Sequence, residues 1–206
     1  MQQKPFKIYC AGPLFNPSER QEMSNIAQVL KKGGYDVFLP QEDGLEFSRL
    51  FPIFLKKGMQ FEQAQKLLNK AIFALDIFQV RDSRGLVLNM NGRVPDEGAI
   101  VEASIAWVCQ RPIVIFNSDA RTLIQGNNNP LVLGLSNFET VDQYADVPKI
   151  FDRKFSELGD STVESKPSFA DPFLLKGQAI TNLLKTDRDT RIIVDSLLNL
   201  FGGSKV

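Results

Sequence analysis

The chain has 206 residues, enough for one domain with a real core or for a domain plus a small helical appendage, and its 24 Lys plus Arg match its 24 Asp plus Glu. That balance, with no dense basic run, leaves no field to gather a nucleic-acid polymer or an anionic membrane, and no apolar run approaches the roughly 18 to 20 residues a bilayer crossing needs. There is no histidine, so acid, base and nucleophile chemistry falls to Asp, Glu, Tyr, Lys, Cys or Ser. Cys10 and Cys109 are far apart and form no C-x-x-C pair, and no signal peptide precedes the first apolar segment, so a reduced, cytoplasmic protein is expected.

The first apolar run, Phe6 to Ala11, ends at Gly12-Pro13 and predicts a buried strand. Asn16-Pro17-Ser18-Glu19 then carries an N-cap, a proline at the first helical position and a capping-box acid, while Met23, Ile26, Ala27 and Leu30 keep helical spacing up to Gly33-Gly34. Tyr35 to Leu39 predicts a second strand closed by Pro40, and Gln41 to Gly58, broken by glycines and a proline, predicts a covering loop. A helix is predicted from Gln60 to about Phe78, a strand from Gly85 to Met90, a helix from Ala99 to Gln110, a strand from Pro112 to Phe116 and a fifth strand from Phe138 to Val141. After the polar loop Gln125 to Asn129, helices are predicted from about Val147 to Leu158 and from Pro172 to Phe201, with a linker at Gly159 to Ser168.

Alternation of strand and helix predicts an α/β fold: an open, mostly parallel, doubly wound sheet of flavodoxin or Rossmann type, helices on both faces, and a C-terminal helical extension. The expected division is residues 1–158 for the α/β domain and 159–206 for a linker and helices packed on it. In such a sheet the strand C-terminal ends converge on one crevice, which brings together Tyr9, Gly12, Gln41 and the stretch Asn89 to Asp96. Neither G-x-G-x-x-G nor a P-loop is present, so no nucleotide cofactor is expected. Asp76, Asp96 and Glu102 could in principle hold a pair of oxygen-ligated metals, but without histidine or a ligand cluster no metal is expected. Taken singly, Asp96 reads as a helix cap, Glu102 as a solvated helix residue and Tyr9 as core. Their joint placement makes them candidates.

The combination Ile8-Tyr9-Cys-Ala-Gly12-Pro-Leu-Phe15, Leu39-Pro40-Gln41, Asn91-Gly-Arg-Val-Pro-Asp96-Glu-Gly98-Ala-Ile-Val-Glu102 and Arg111-Pro112 resembles the nucleoside 2-deoxyribosyltransferases from about residue 7 to 140. The resemblance implies that the D-x-G-x-x-x-E motif carries the nucleophile at Glu102, that Asp96 and Asp76 contact or protonate the base, and that Tyr9 orients the nucleophile. It further implies substrate contacts from Gly12, Phe15, Gln41, Asn89 and Gly98. An asparagine lent by a neighbouring subunit corresponds to the stretch Asn129 to Asn137, so a homo-oligomer, dimer or higher, is implied. Two departures stand out: Ser83-Arg84 replaces an Ala-Asp pair at the head of the third strand, and the tail beyond residue 158 has no counterpart.

The expected activity is exchange of one nucleobase for another on a 2′-deoxyribonucleoside, through a deoxyribosyl ester of Glu102, with retention at C1′. The partners are deoxynucleosides and free bases. Two other readings use the same residues: hydrolysis of the N-glycosidic bond of a 2′-deoxynucleoside or its 5′-phosphate, and non-catalytic nucleoside binding.

Overall fold

The structure, a computed structural model, describes residues 6–92, 94–119, 129–158 and 172–202. The expected linker Gly159 to Ser168, and the polar loop as far as Asn128, lie outside the described residues. The described elements are, in order, β1 (Lys7–Ala11), α1 (Pro17–Lys32), β2 (Asp36–Phe38), α2 (Pro40–Asp43), α3 (Phe47–Lys56), α4 (Phe61–Asp82), β3 (Gly85–Asn89), α5 (Glu97–Val108), β4 (Ile113–Phe116), α6 (Pro130–Gly134), β5 (Thr140–Val141), α7 (Asp146–Leu158), α8 (Pro172–Thr186) and α9 (Thr190–Phe201). They fall into two compact units, Met1–Leu39 with Val80–Lys166, and Pro40–Gln79 with Pro167–Val206.

The first unit holds the sheet. Its five strands are all parallel in the order β2-β1-β3-β4-β5, as the α/β reading requires. β1, β3 and β4 are apolar nearly throughout because both of their faces are covered. On one face Ile8, Cys10, Val37, Val87, Val114 and Phe116 pack against Met23, Ile26, Ala27 and Leu30 of α1 and against Val147 and Phe151 of α7. The opposite face receives Ala99, Ala103 and Ala106 of α5, small residues that let this helix lie close. α1 starts as its sequence dictates: the Asn16 side chain accepts from the Glu19 backbone N–H at 3.0 Å, and the Glu19 carboxylate accepts from the Asn16 N–H at 3.2 Å. The order reverses direction between β1 and β3, so the loops after these two strands flank the topological switch point where open α/β sheets bind ligands.

The second unit is helical, and one expectation is corrected there. Gln41 to Gly58 is not a loop; it forms α2 and α3. The interior Pro52 and the flanking Gly44 and Gly58 imitate turn punctuation, yet Leu50 and Phe54 keep a buried helical stripe, and Phe51 stacks on Phe47 at 4.8 Å while meeting Phe61 edge-on at 4.9 Å. The stretch Pro172 to Phe201 is likewise broken in two. Asp189 caps α9 by accepting from the Arg191 N–H at 2.7 Å, and its own N–H is taken by Asp187 at 2.7 Å. α9 packs against α3 and α8, and Lys57 pairs with Asp195. α8 meets α4 at Gly177, where a Cβ would lie 2.1 Å from the Ala74 carbonyl oxygen. Buried Gln79 donates to the Thr181 hydroxyl at 2.8 Å, which donates to the Gly177 carbonyl at 2.8 Å.

Candidate active site

Tyr9 sits within β1 on the α5 face, fully buried, with its ring stacked on Phe38 at 5.4 Å. Strand alternation turns its neighbours Ile8 and Cys10 to the other face. From that fixed position its hydroxyl donates to Glu102 Oε1 at 2.7 Å. A donor at this length to a half-buried carboxylate offsets part of the cost of keeping an anion out of water, and it fixes the rotation of the carboxyl group. The two residues are 93 positions apart in sequence and meet because β1 and β3 are paired neighbours and α5 follows β3 across them.

α5 begins where the motif dictates, two residues earlier than the pattern alone suggests. Asp96 is its N-cap, and its side chain accepts from the Gly98 N–H at 2.9 Å. A Cβ on Gly98 would stand 3.3 Å from the Asp96 Oδ1, a crowded contact, so the glycine of D-x-G makes room for the cap. Asp96 and Gly98 therefore form one local structure, and Glu102 follows them on the same helix.

The loop that delivers Asp96 is held by a polar network that sequence reading did not identify. Asn91 is 5% exposed; its Nδ2 donates to Glu22 Oε2 at 3.0 Å and to the Ser118 hydroxyl at 3.0 Å, while its Oδ1 accepts from the N–H groups of Ser118 at 2.8 Å and Asp119 at 3.0 Å. The amide is thus fully satisfied, and it ties the loop after β3 to the loop after β4. Asn91 was visible only as a motif letter, and Glu22 only as a polar position on a helix.

Asn89 belongs to the same network. Buried on the α1 face of the sheet, away from Tyr9, it donates to Glu22 Oε2 at 3.2 Å and accepts from the Asn91 N–H at 3.0 Å, so its amide is committed to the network. Gly12 is a close-approach glycine: a Cβ there would lie 2.5 Å from Met23 Sδ and 2.8 Å from Asn89 Cβ. Phe15 projects into solvent, 81% exposed. Asn129 caps α6, accepting from the Leu131 N–H at 3.0 Å. Asn137 has left-handed backbone, φ 60°, and lies beside Arg111 and Pro112, which precede β4; it is therefore at the end of the sheet opposite Asp96, which follows β3.

Two expected residues belong to the second unit. Gln41 is half-buried in α2. Asp76 lies in α4, and burial pushes its carboxyl up to about 7, a change of protonation centred on neutrality. Among the described residues no three His, Cys, Asp or Glu side chains gather as a metal site, and no helix is long and apolar enough to cross a membrane.

A conserved protein from Enterococcus faecalis V583 shares this fold with a TM-score of 0.54 at 22% identity, over 73% of this chain and 99% of that one. The 2-deoxyribosyltransferase from the psychrotolerant bacterium Bacillus psychrosaccharolyticus aligns with a TM-score of 0.50 at 21% identity, over 69% of this chain and 90% of that one. Among curated protein sequences none matches. The profile of the family described as Nucleoside 2-deoxyribosyltransferase matches residues 8–167, a span that contains Tyr9, Asp96 and Glu102 and stops short of α8. With more than half of its length matched, the chain belongs to the nucleoside 2-deoxyribosyltransferase family.

Proposed function

We propose that this protein exchanges the nucleobase of a 2′-deoxyribonucleoside for another free base through a covalent deoxyribosyl ester of Glu102. The Tyr9 to Glu102 hydrogen bond of 2.7 Å carries the reading, because it orients a carboxylate beside the switch point of the sheet. A Glu102 oxygen attacks C1′ as the C1′–N bond breaks; the bonding pair leaves with the base, which takes a proton from an aspartic acid. The incoming base then attacks C1′, the ester C–O bond breaks, the carboxylate is restored and the new base returns a proton to the acid. Two inversions give retention. The ester keeps the sugar activated between bases, which favours transfer over loss to water.

Asp96 and Asp76 divide the base-side work in this reading. Asp96 is held by its cap next to the helix that carries Glu102. Asp76, with its carboxyl pushed up to about 7 by burial, exists in protonated and ionised forms together at neutral pH, as a group that gives a proton to one base and takes it back from the next requires. Gly12, Phe15, Gln41 and Gly98 are proposed to complete the substrate contacts. A cytoplasmic homo-oligomer in base salvage is part of the same proposal, with Asn129 or Asn137 lent to a neighbour; the exposed Val94 and Val101 beside and on α5 support an association surface.

The test is an exchange assay with a panel of deoxynucleosides and free bases, including an acceptor-free control. New nucleoside without accumulating deoxyribose is the expected result, and Glu102→Ala should lower it by about 10³-fold or more while the protein stays folded. Full exchange by Glu102→Ala would remove the nucleophile assignment. Equal sugar release with and without acceptor would make the enzyme a hydrolase, and binding without either product would leave a nucleoside-binding module.

A further inference from the structure

At the end of the sheet opposite Asp96, Arg81 and Arg84 act on the charge of Arg111, with Asp82 opposing them. Arg84 leads into β3 and Arg111 into β4, and the Arg111 Nη2 donates to the Arg81 carbonyl at 3.2 Å. Strands β3 and β4 are register neighbours, Leu86 beside Ile113, which brings these two entries together. The acids nearby are already engaged. Asp82 pairs with Lys7, Glu139 with Arg153 and Lys154, and Glu157 with Arg153 at 3.7 Å. Among the described residues no carboxylate pairs with Arg81, Arg84 or Arg111, and Arg84 rests over the Phe6 ring at 5.3 Å.

Buried donors at the same place lack acceptors. Among the described residues Arg111 Nε and the Ser83 hydroxyl are buried and make no hydrogen bond, a costly condition that a shift of the side chain relieves. Burial first, and then the charges of Arg84 and Arg81, push the Arg111 guanidinium below its ordinary value, with Cys109 and Asp82 acting the other way. Arg111 opens onto a depression of about 690 Å³, whose lining includes Trp107, Gln110, Asn137, Lys154 and Glu157. That volume lies in the range of small-molecule sites. Gln110 and Asn137 in its wall both hold left-handed backbone, φ 56° and 60°, a conformation that non-glycine residues adopt at a cost. Of the Ser83-Arg84 pair, noted in the sequence as a departure, Arg84 supplies one of the charges that act on Arg111 from outside the lining.

We propose that this depression is an anion site in which a phosphate group, free or carried by a nucleotide, is held by Arg111 and by Lys154, which also contacts Glu139 at 3.6 Å and the Ser136 carbonyl at 3.3 Å, with Arg81 and Arg84 adding positive field. A guanidinium presents paired donors that match phosphate geometry, and like charges held close together are relieved by an anion between them. The site lies apart from Tyr9 and Glu102, so the proposal stands independently of the transferase reading.

Calorimetric titration at fixed ionic strength tests it, with inorganic phosphate, a deoxynucleoside 5′-monophosphate and the neutral deoxynucleoside as ligands, all on the Glu102→Ala protein to prevent turnover. Saturable phosphate binding is expected, weakened about tenfold or more by Arg111→Gln and several-fold by Arg84→Gln or Lys154→Gln. The nucleotide binding more tightly than both phosphate and the neutral nucleoside would identify a nucleotide site, and equal binding of nucleotide and phosphate a site for the anion alone. If Arg111→Gln does not fold, the Arg84 and Lys154 variants carry the test. Absence of saturable phosphate binding, or binding that none of the substitutions weakens, overturns the proposal.

Discussion

Asp76 shows how a single buried acid couples folding to pH. Its folded value of about 7 lies above its ordinary 3.8, so between those values the folded chain holds a proton that the unfolded chain has released. Stability therefore falls as pH rises through this window and levels off above about 7. Asp76→Asn removes the titration. The variant should gain stability relative to the parent by about 3 kcal/mol on going from pH 5 to pH 8, an upper figure set by the size of the shift. Denaturant unfolding at the two pH values measures this, and a difference independent of pH would show that Asp76 titrates normally. The acid motif at Asp96 and Glu102 was legible in the sequence because cap, glycine and carboxylate lie within one turn-and-helix segment. The protonation of Asp76 was not, since burial by surrounding helices has no local signature.

Elements were legible where a periodic stripe ended in a clear stop. Asn16, Pro17 and Glu19 marked the start of α1, and the apolar runs marked β1, β3 and β4. α3 was missed because Pro52 and two flanking glycines outweighed a short stripe whose aromatic contacts are tertiary. The network around Asn91 was missed because it joins a helix and two loops distant in sequence. Its consequence is testable at this scale: Asn91→Ala leaves the Ser118 and Asp119 N–H groups without their acceptor and the Glu22 carboxylate without one donor. A loss of about 2 to 4 kcal/mol is expected, with slower base exchange because the loop entering α5 loosens. Unchanged unfolding and exchange would show that Asn91 is dispensable.

For the whole molecule, sequence order conceals the grouping of residues 40–79 with 167–206. The family match ends at residue 167, while α3 and α4 share their unit with α8 and α9. α8 and α9 bury Ile180, Ile193, Val194 and Leu197, and α3 buries Leu50 and Phe54. A chain ending at residue 166 strips the second unit of two helices and should lose hydrogen-exchange protection across α3; retained protection there would show that these helices are an ornament. The chain belongs to a pentosyltransferase family, and the unit that holds Tyr9, Asp96 and Glu102 consists of Met1–Leu39 and Val80–Lys166.

Trp107 gives that unit a signal of its own. It is the chain's one tryptophan, 56% exposed, at the wall of the depression that Arg111 enters. All indole emission therefore arises from the first unit, beside Arg111 and about 7.5 Å along α5 from Glu102. Light from this single ring follows events at Arg111 without a label, while the proposed base exchange is timed separately by the products it releases.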